Sequence, residues 1–256
     1  MEFTAMSSAP QRPCTCLRVA ANQSNYLPWK GYFDIIHDVD LFFFYDDVKY
    51  TKDDWRNRNV VKMNGVPVWF TIPIGKEAVT QRICDVQIPS SYWQLKHWRT
   101  LNQCYSKCLY FAQYAPYFED FYCRHTWTNL SEMNQVLIRQ VCAWLGIDVV
   151  FGDSRDLHLT GAKQERVLDF VEKVEATSLL AGPAARAYLD PAEFARRNTD
   201  LHFKTYQYPE YPQGKGPFWH NVSIVDLLFR FGPDCTHYIW DSDLIAVSSN
   251  ETYGCT

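Results

Sequence analysis

The stretch LRVAANQSNYLPWKGYFDIIHDVDLFFFYDD, residues 17–47, decides the fold that we expect for this chain. Its apolar run at 18–21 predicts a first strand, and the run at 41–45 predicts a second. Between them, Pro28 and Gly31 mark a turn that opens a helix reaching about Val39. Two strands joined by so short a helical crossover predict a parallel β-α-β unit.

The rest of the chain continues this alternation. Helices are predicted at 92–110, 129–145, 162–174, 191–197 and 223–231, and strands at 60–62, 66–74, 147–151, 178–181 and 201–206. The pair Asn64-Gly65 predicts a hairpin between the strands on either side of it. We therefore predict an α/β fold, with a mostly parallel, Rossmann-like sheet, helices on both faces and a helical C-terminal part.

Composition sets the class of protein. The chain has 256 residues, 47% of them hydrophobic, which is enough for a sizeable core. We expect a flexible leader at 1–16, a single α/β domain at 17–240 and a loosely ordered tail at 241–256. A net charge of -4 argues against a protein that coats nucleic acid or an anionic membrane. No apolar run approaches the roughly 20 residues of a membrane span and no secretory signal is recognised, so we expect a cytoplasmic protein.

Neither a metal nor a cofactor is indicated by a motif. The nine cysteines are odd in number and form no paired CxxC motifs, which argues against a zinc ribbon, and we expect no metal site. The sequence has neither GxGxxG nor GxxxxGK[ST], so the usual glycine-rich dinucleotide and P-loop signals are missing. The cofactor is therefore unknown from the sequence.

Polar side chains follow both early strands, where open α/β sheets bind ligands. Gln23 and Asn25 never ionise and suit a neutral group or a developing oxyanion, although Asn25 could instead cap the helix. Tyr26 could form the wall of an aromatic pocket. Asp46 and Asp47 could bind an amine or act as a general base, or simply form a solvated turn. Adjacent residues of an extended chain point to opposite faces, so at most one of the two should face the site.

Five further positions complete the candidate site from the residues alone. Lys52 and Arg58 lie in the charged loop after the second strand, and their fixed positive charge suits a phosphate or a carboxylate. His97 lies on a predicted helix and is suited to proton transfer near neutral pH, although a lone histidine is more often structural. Tyr211 and Gln213 lie in a proline-rich loop, where binding residues are commonly displayed.

Three motifs of the chain resemble the WbqC-like family. They are QSNYLPWKGYFD at 23–34, DDVKYTKDDWRNRN at 46–59 and YPEYPQGKGPF at 208–218. The resemblance adds Asn57 to the candidate substrate-binding residues. The family opens its first motif with a histidine where this chain has Asn22, so the resemblance supplies no base at that position. It implies a role linked to surface polysaccharide biosynthesis, with transfer of glycine or another aminoacyl group to an amino sugar.

Together these features predict a transferase that moves an acyl group, glycyl or another aminoacyl, onto an amine of a sugar nucleotide or related small metabolite. In this prediction Asp46 or Asp47, with His97, takes the proton of the amine. The alternative is a non-catalytic nucleotide- or sugar-binding module that serves a partner enzyme. The missing glycine motifs and the unassigned nucleophile leave that alternative open.

The expected ligand is small and bears a phosphate. Five basic residues lie between positions 49 and 62 of an otherwise acidic chain. A tRNA donor would lose affinity steeply with salt, whereas a compact donor held by one or two bidentate contacts would not. The net charge favours the compact donor over an aminoacyl-tRNA.

Overall fold

The computed structural model describes residues 16–240. In chain order the elements are β1 (Arg18–Asn22), α1 (Lys30–His37), β2 (Leu41–Phe44), β3 (Arg58–Met63), β4 (Val66–Thr71), α2 (Tyr92–Tyr105), α3 (Phe111–Cys123), α4 (Leu130–Trp144), β5 (Val150–Asp153), α5 (Gln164–Lys173), β6 (Ser178–Ala181), α6 (Pro191–Ala195), β7 (Asp200–Phe203), α7 (Val225–Phe231) and α8 (His237–Trp240). The predicted tail and all but the last residue of the predicted leader lie outside the described residues. The single domain predicted at 17–240 stays a prediction.

Five strands form one sheet in the order β5-β2-β1-β6-β7, and all four neighbouring pairs are parallel. Strand β1 is central, with Val19 opposite Leu41 of β2 on one side and opposite Leu179 of β6 on the other. The predicted α/β class, the parallel pairing and the helical C-terminal part are confirmed. The Rossmann-like character of the sheet stays a prediction.

Helices cover both faces of this sheet. Alternate residues of β1 point to opposite faces, and they pack into two different apolar clusters. Ala20 belongs to the cluster that contains the buried side of α1, and Val19 belongs to the cluster that contains the buried side of α5. Phe42 and Phe44 of β2 point to the same face as Ala20. Burial on both faces explains why β2 has the continuous apolar run LFFF instead of an alternating one.

The predicted hairpin is present as a separate two-stranded sheet. Strands β3 and β4 pair antiparallel, and Asn64 and Gly65 between them have φ values of 51° and 90°. Two consecutive positive φ angles are typical of a type I′ turn, which asparagine followed by glycine favours. The core-facing side of the hairpin carries Val61 and Phe70, whereas Trp69 lies on its outward side.

The helical region after the hairpin differs from the prediction. The helix predicted at 92–110 ends at Tyr105, and a second helix, α3, follows at Phe111–Cys123. Pro116 lies inside α3, where a proline lacks the N–H of a regular helical hydrogen bond. The aromatic side chains of α3, Tyr114, Phe118, Phe121 and Tyr122, are buried, and their packing stabilises a helix that its backbone preferences disfavour.

The order in which the chain adds strands to the sheet reverses between β1 and β6. From β1 it runs outward through β2 to β5, and it then returns to the other side of β1 to form β6 and β7. The connections that follow β1 and β6 lead to strands on opposite sides of this pair, β2 and β7. Ligands of open α/β sheets bind in the crevice that such a reversal creates.

Candidate functional site

A cavity of about 430 Å³ lies at the reversal of strand order, against the carboxyl ends of β1 and β6. Its walls come from both strands, the loops that follow them, α5 and the charged loop before β3. The polar and aromatic lining residues are Asn22, Gln23, Asn25, Trp29, Tyr45, Trp55, Arg56, Phe170, Tyr188 and Tyr206. Backbone and small side chains of Gly182 to Ala185 line the side that β6 contributes. The cavity has the position and the mixed polar and aromatic walls of a small-molecule site.

A smaller cavity of about 230 Å³ adjoins the first. It is lined by Asn25, Pro28, Trp29, Trp55, Asn59 and Asn221. Asn25, Trp29 and Trp55 line both cavities, so the two spaces meet at these side chains. A ligand with two parts could therefore extend from one cavity into the other.

Trp29, shared by both cavities, is held by close packing on α1 and the C-terminal loop. Its ring lies edge-on to Tyr206 at a centroid distance of 4.9 Å. A Cβ atom added at Gly31 would lie 2.4 Å from the Trp29 ring, a distance that real atoms cannot adopt. Glycine at position 31 is therefore required by the close approach of the Trp29 indole.

Arg56 carries the only fixed positive charge among the described residues that line the two cavities. Its Nη1 donates to Oδ1 of Asn25, and its Nη2 donates to Oε1 of Gln23 at 2.9 Å. Nη2 also pairs with Asp54 at 3.4 Å. Within the described residues its Nε has no hydrogen-bond partner. Gln23 and Asn25, both predicted site residues, line the larger cavity, whereas the sequence favoured Lys52 and Arg58 over Arg56 for the positive charge.

Asp46 faces the interior and lines neither cavity. Its Oδ1 accepts the backbone N–H of Ser24 at 2.7 Å, and its Oδ2 accepts the hydroxyl of Ser131 at 2.5 Å. Burial raises the pKa of this carboxyl group, although the two serines oppose the rise. Asp46 thus fixes the turn that carries Gln23 and Asn25.

Asp47 points away from Asp46, as expected for neighbours in an extended chain. One oxygen accepts the hydroxyl of Ser154 at 2.5 Å, and the other pairs with the guanidinium of Arg166. Tyr45, two positions before Asp47, lines the larger cavity, and its ring lies 5.5 Å from the Arg166 guanidinium. Asp47 therefore lies beside the cavity wall with both oxygens already engaged.

Tyr26 and His97 form a buried pair away from the cavities. The Tyr26 hydroxyl lies 2.8 Å from Nδ1 of His97 and also hydrogen bonds with the Tyr122 hydroxyl. Burial, followed by the nearby Lys96 ammonium, lowers the pKa of His97 to about 3. His97 is therefore neutral at physiological pH, in contact with another protein side chain and not with a cavity.

The remaining predicted residues are distributed over the hairpin and the C-terminal loop. Lys52 is exposed, and Arg58 pairs with Asp53 at 3.2 Å on the surface. Asn57 is buried, accepts the Tyr50 hydroxyl at 2.8 Å and donates to the carbonyl of Ile72 at 2.8 Å. None of these three lines either cavity.

Tyr211 and Gln213 lie in the C-terminal loop as predicted, but both are buried. Gln213 donates to the Trp219 carbonyl at 2.8 Å and accepts the Trp219 N–H at 2.9 Å, which closes the loop on itself. Burial, followed by the nearby Asp226 carboxylate, raises the pKa of Tyr211. In this structure the two side chains hold the loop together and do not line the cavities.

The chemistry available in the cavities is narrow. Among the described residues lining the larger one there is no acid, histidine or cysteine. Across residues 16–240 no three His, Cys, Asp or Glu side chains are grouped as metal ligands. No helix in that part of the chain is long and apolar enough to cross a membrane.

Arg56, Trp55 and the tyrosines of the cavity were missed by sequence reasoning. Arg56 and Arg58 are both arginines and lie two positions apart in the sequence, and only their tertiary contacts distinguish them. In the sequence Arg56 is marked only by its place between Trp55 and the matched NRN triplet at 57–59, which does not favour it over Arg58. Tyr188 follows β6 and Tyr206 follows β7, and neither was among the predicted site residues.

These features define a parallel α/β protein with a cavity at the carboxyl edge of its sheet. The model of the WbqC-like protein family matches residues 23–238, and the chain belongs to that family, as its motifs indicated. The chain is 39% identical over 224 residues to the Mycobacterium tuberculosis protein described as "Uncharacterized protein Rv1507c", a match that covers 87% of this chain and 97% of that protein. No solved structure matches the chain.

Proposed function

We propose that this chain is a cytoplasmic transferase that moves an acyl group, glycyl or another aminoacyl, onto an amine of a sugar nucleotide or related small metabolite. The two adjoining cavities are the site of this reaction. The observation that carries the proposal is Arg56, a guanidinium held in a cavity wall by two neutral amides next to aromatic rings. A cation fixed in this way suits the phosphate or carboxylate of a small ligand.

The amide side chains of the site suit the carbonyl of the acyl group. Oδ1 of Asn25 is occupied by Arg56, so its Nδ2, which has no partner among the described residues, is free to donate. In acyl transfer the attacking amine turns the carbonyl oxygen into an oxyanion, and a fixed N–H donor stabilises that charge. Asn25 lies where the two cavities meet, which is where donor and acceptor would come together.

The proton of the amine needs a destination. As the new N–C bond forms and the bond to the leaving group breaks, one proton passes from the amine to a base or to the leaving group. Of the three predicted acid–base residues, Asp47 is the one whose partner, Arg166, also contacts the ring of the cavity-lining Tyr45. We therefore propose Asp47 as the base, released from Arg166 when the substrates bind, and we assign Asp46 and His97 to supporting the fold.

The test combines purified protein with activated aminoacyl donors and amino-sugar nucleotides and follows the product by mass spectrometry. Arg56→Gln should reduce transfer by about 10- to 100-fold, the effect of losing a charge-assisted hydrogen bond. Arg56→Lys, which keeps the charge but not the bidentate geometry, should lie between Arg56→Gln and the wild type.

Arg82→Gln is the matched control, because Arg82 pairs with Asp85 on the surface and lines neither cavity. It should transfer at the wild-type rate. Thermal denaturation of each variant separates a lost contact from a lost fold. Equal rates for Arg56→Gln and Arg82→Gln, in folded protein, would reject the proposed site.

A binding module that serves a partner enzyme is the second candidate function. The observation in its favour is the cavity lining, which among the described residues includes no acid, histidine or cysteine. A thermal-shift screen with nucleotides and amino sugars distinguishes the two functions. A ligand that stabilises the fold and is recovered unchanged in the presence of every donor favours the binding module.

The proposed donor is compact and bears a phosphate. With Arg56 as the fixed cation of the cavities, a single phosphate contact predicts a shallow dependence of binding on salt. An aminoacyl-tRNA would contact several basic residues of the surface loop and give a steep dependence. Measuring the rate from low to moderate salt tests this part of the proposal, and a steep slope would assign the donor to tRNA.

A further inference from the structure

Two tryptophan rings stack on each other at the surface next to the cavities. Trp55 is 40% exposed and Trp69 is 49% exposed. Their ring centroids are 5.9 Å apart and the ring planes differ by 22°. We call Trp55 and Trp69 the indole pair. Nearly parallel rings at this separation are stacked with an offset, so each leaves part of a flat apolar ring exposed to solvent.

The hairpin and a guanidinium hold the indole pair in place. Trp69 lies opposite Val60 and Arg58 lies opposite Thr71, so Trp69 and Arg58 share the outward face of the β3–β4 hairpin. The Arg58 guanidinium lies 4.3 Å from the centroid of the Trp69 ring, a cation–π contact. Asp53 pairs with Arg58 at 3.2 Å from the other side. The predicted anion-binding residue Arg58 thus supports Trp69.

The indole pair is continuous with the cavities. Trp55 lines both of them, and the next residue, Arg56, lines the larger one. A ligand that stacks on the indole pair could therefore extend to the Arg56 guanidinium. A flat apolar surface joined to a fixed cation matches a molecule with a planar ring at one end and an anionic group nearby.

We infer that the indole pair is the base-stacking surface of a nucleotide site, with the base lying against Trp55 and Trp69 and the phosphate bound by Arg56. The ligand is a free nucleoside phosphate, and the position of its phosphate rests on the proposed function. Stacking uses the face of the base and not its hydrogen-bonding edge, so the site accepts purines and pyrimidines alike.

A nucleobase fits the indole pair better than a sugar ring does. A sugar needs hydrogen-bonding side chains around its edge in addition to an apolar surface. The neighbours of Trp69 on the outward face include Arg58, Val60, Pro67 and Thr71, and the Asp53 carboxylate beside them is already paired with Arg58. The amides of Asn25, Asn59 and Asn221 lie in the smaller cavity, on the side of Trp55. The chemistry around Trp69 therefore favours a base.

The test is equilibrium binding of the full chain to adenosine 5′-monophosphate, uridine 5′-monophosphate, ribose 5-phosphate and inorganic phosphate. The two nucleotides should bind with similar affinity, and about tenfold or more tightly than ribose 5-phosphate. Trp69→Leu should weaken both nucleotides about tenfold and leave ribose 5-phosphate unchanged. Trp69→Phe, which keeps an aromatic face, should recover most of the lost affinity.

Trp219→Leu is the matched control, because Trp219 is also 40% exposed but lines neither cavity. It should bind all four probes as the wild type does. Nucleotides that bind no more tightly than ribose 5-phosphate, or Trp69→Leu binding at wild-type affinity, would overturn the inference. A short single-stranded RNA that binds more tightly than either nucleotide, with a steep salt dependence, would overturn the assignment to a free nucleotide.

The outcome is separable from that of the proposed transferase. If transfer depends on Arg56 but is the same in Trp69→Leu, with unchanged nucleotide affinity, the inference fails and the transferase stands. If nucleotides bind through the indole pair but no donor and amine give product, the inference stands and the transferase fails.

Discussion

Oδ1 of Asp46 accepts the backbone N–H of Ser24 at 2.7 Å, and this bond joins the exit of β2 to the exit of β1. Ser24 lies between Gln23 and Asn25, the two amides that hold Arg56 in the cavity wall. Asp46, which the sequence predicted as a base, thus fixes the turn that carries these two amides and does not itself line the cavities.

This role of Asp46 predicts different results for two substitutions. Asp46→Ala leaves the N–H of Ser24 and the hydroxyl of Ser131 without a partner in the interior, and should cost about 2–4 kcal/mol of the free energy of unfolding. Asp46→Asn keeps an acceptor for Ser24 and should cost about 1 kcal/mol or less, with transfer or ligand binding retained. Denaturant unfolding and the transfer assay measure both. A folded Asp46→Asn that binds ligand but has lost all turnover would make Asp46 the base.

Gly31→Ala should damage the cavities although alanine favours a helix. The added Cβ would lie 2.4 Å from the Trp29 ring, so the ring has to move out of its place between the two cavities. We expect a loss of about 1–3 kcal/mol of stability from the overpacking and at least about tenfold weaker ligand binding. Chemical denaturation and titration calorimetry measure the two effects.

Gly146→Ala separates stability from binding in that experiment. Gly146 ends the helix α4 with φ of 68°, so alanine is strained there, but nothing lies within 4 Å of the added Cβ. It should lower stability by about 1 kcal/mol and leave ligand affinity unchanged. Equal loss of affinity in both variants would mean that the Trp29 ring does not shape the site.

His97 predicts a loss of stability in acid. Its pKa is about 3 in the folded protein, against about 6.5 for an unperturbed histidine, so the unfolded chain binds the proton first as pH falls. The stability gained by keeping His97 neutral is fully present above pH 6.5 and is lost as the pH falls towards 3. Relative to His97→Gln, the wild type should lose about 2–3 kcal/mol between pH 6.5 and 4.

Denaturant unfolding at several pH values measures this difference. A nuclear magnetic resonance titration of His97 should show no protonation between pH 5 and 8. A titration of His97 near neutral pH would contradict the buried pair with Tyr26.

The buried Lys30 predicts a change in the free energy of unfolding at alkaline pH. Its ammonium is buried near the carbonyl of Tyr238, at 3.2 Å, and burial lowers its pKa to about 8 although Asp34 opposes the shift. Between pH 8 and 10 the unfolded chain still holds this proton, whereas the folded protein has released it. The free energy of unfolding should therefore rise with pH in this window, by about 2 kcal/mol relative to Lys30→Met.

Lys107→Met is the control for Lys30, because Lys107 is exposed. The free energy of unfolding of Lys107→Met should change with pH in the same way as that of the wild type. Denaturant midpoints at pH 7, 8, 9 and 10 provide the comparison. A wild type and a Lys30→Met variant that also run parallel would show that Lys30 stays charged when buried.

The sheet was predictable from the sequence because its signals are local. The run LFFF of β2 marks a strand buried on both faces, and the pair Asn64-Gly65 marks a type I′ turn. Helix α3 was missed because its stability comes from packing: Pro116 disfavours a helix locally, and the buried aromatic rings favour it only once the neighbouring helices are in place.

The candidate site was predictable in part for the same reason. Gln23 and Asn25 follow β1 directly, so their position at the sheet edge is a local consequence of the strand. Whether Asp46 or Asp47 points inward depends on Ser131, which is far along the chain. The choice between Arg56 and Arg58 likewise depends on Asn25 and Trp69, which no spacing rule reveals.

The central place of β1 has a consequence for how the chain folds. Its partner β2 follows soon after it in the chain, but its other partner, β6, joins only when Val19 meets Leu179. Closing so long a loop costs chain entropy before the stabilising contacts between the two strands have formed. The pairing of β1 with β6 should therefore form late in folding. A nascent chain that ends before Ser178 contains the cavity wall formed by β1 and the loop after it, but it lacks the wall formed by β6 and the loop after it. Ligand binding therefore reports completion of the last pairing, and a ligand present during synthesis should favour that final step.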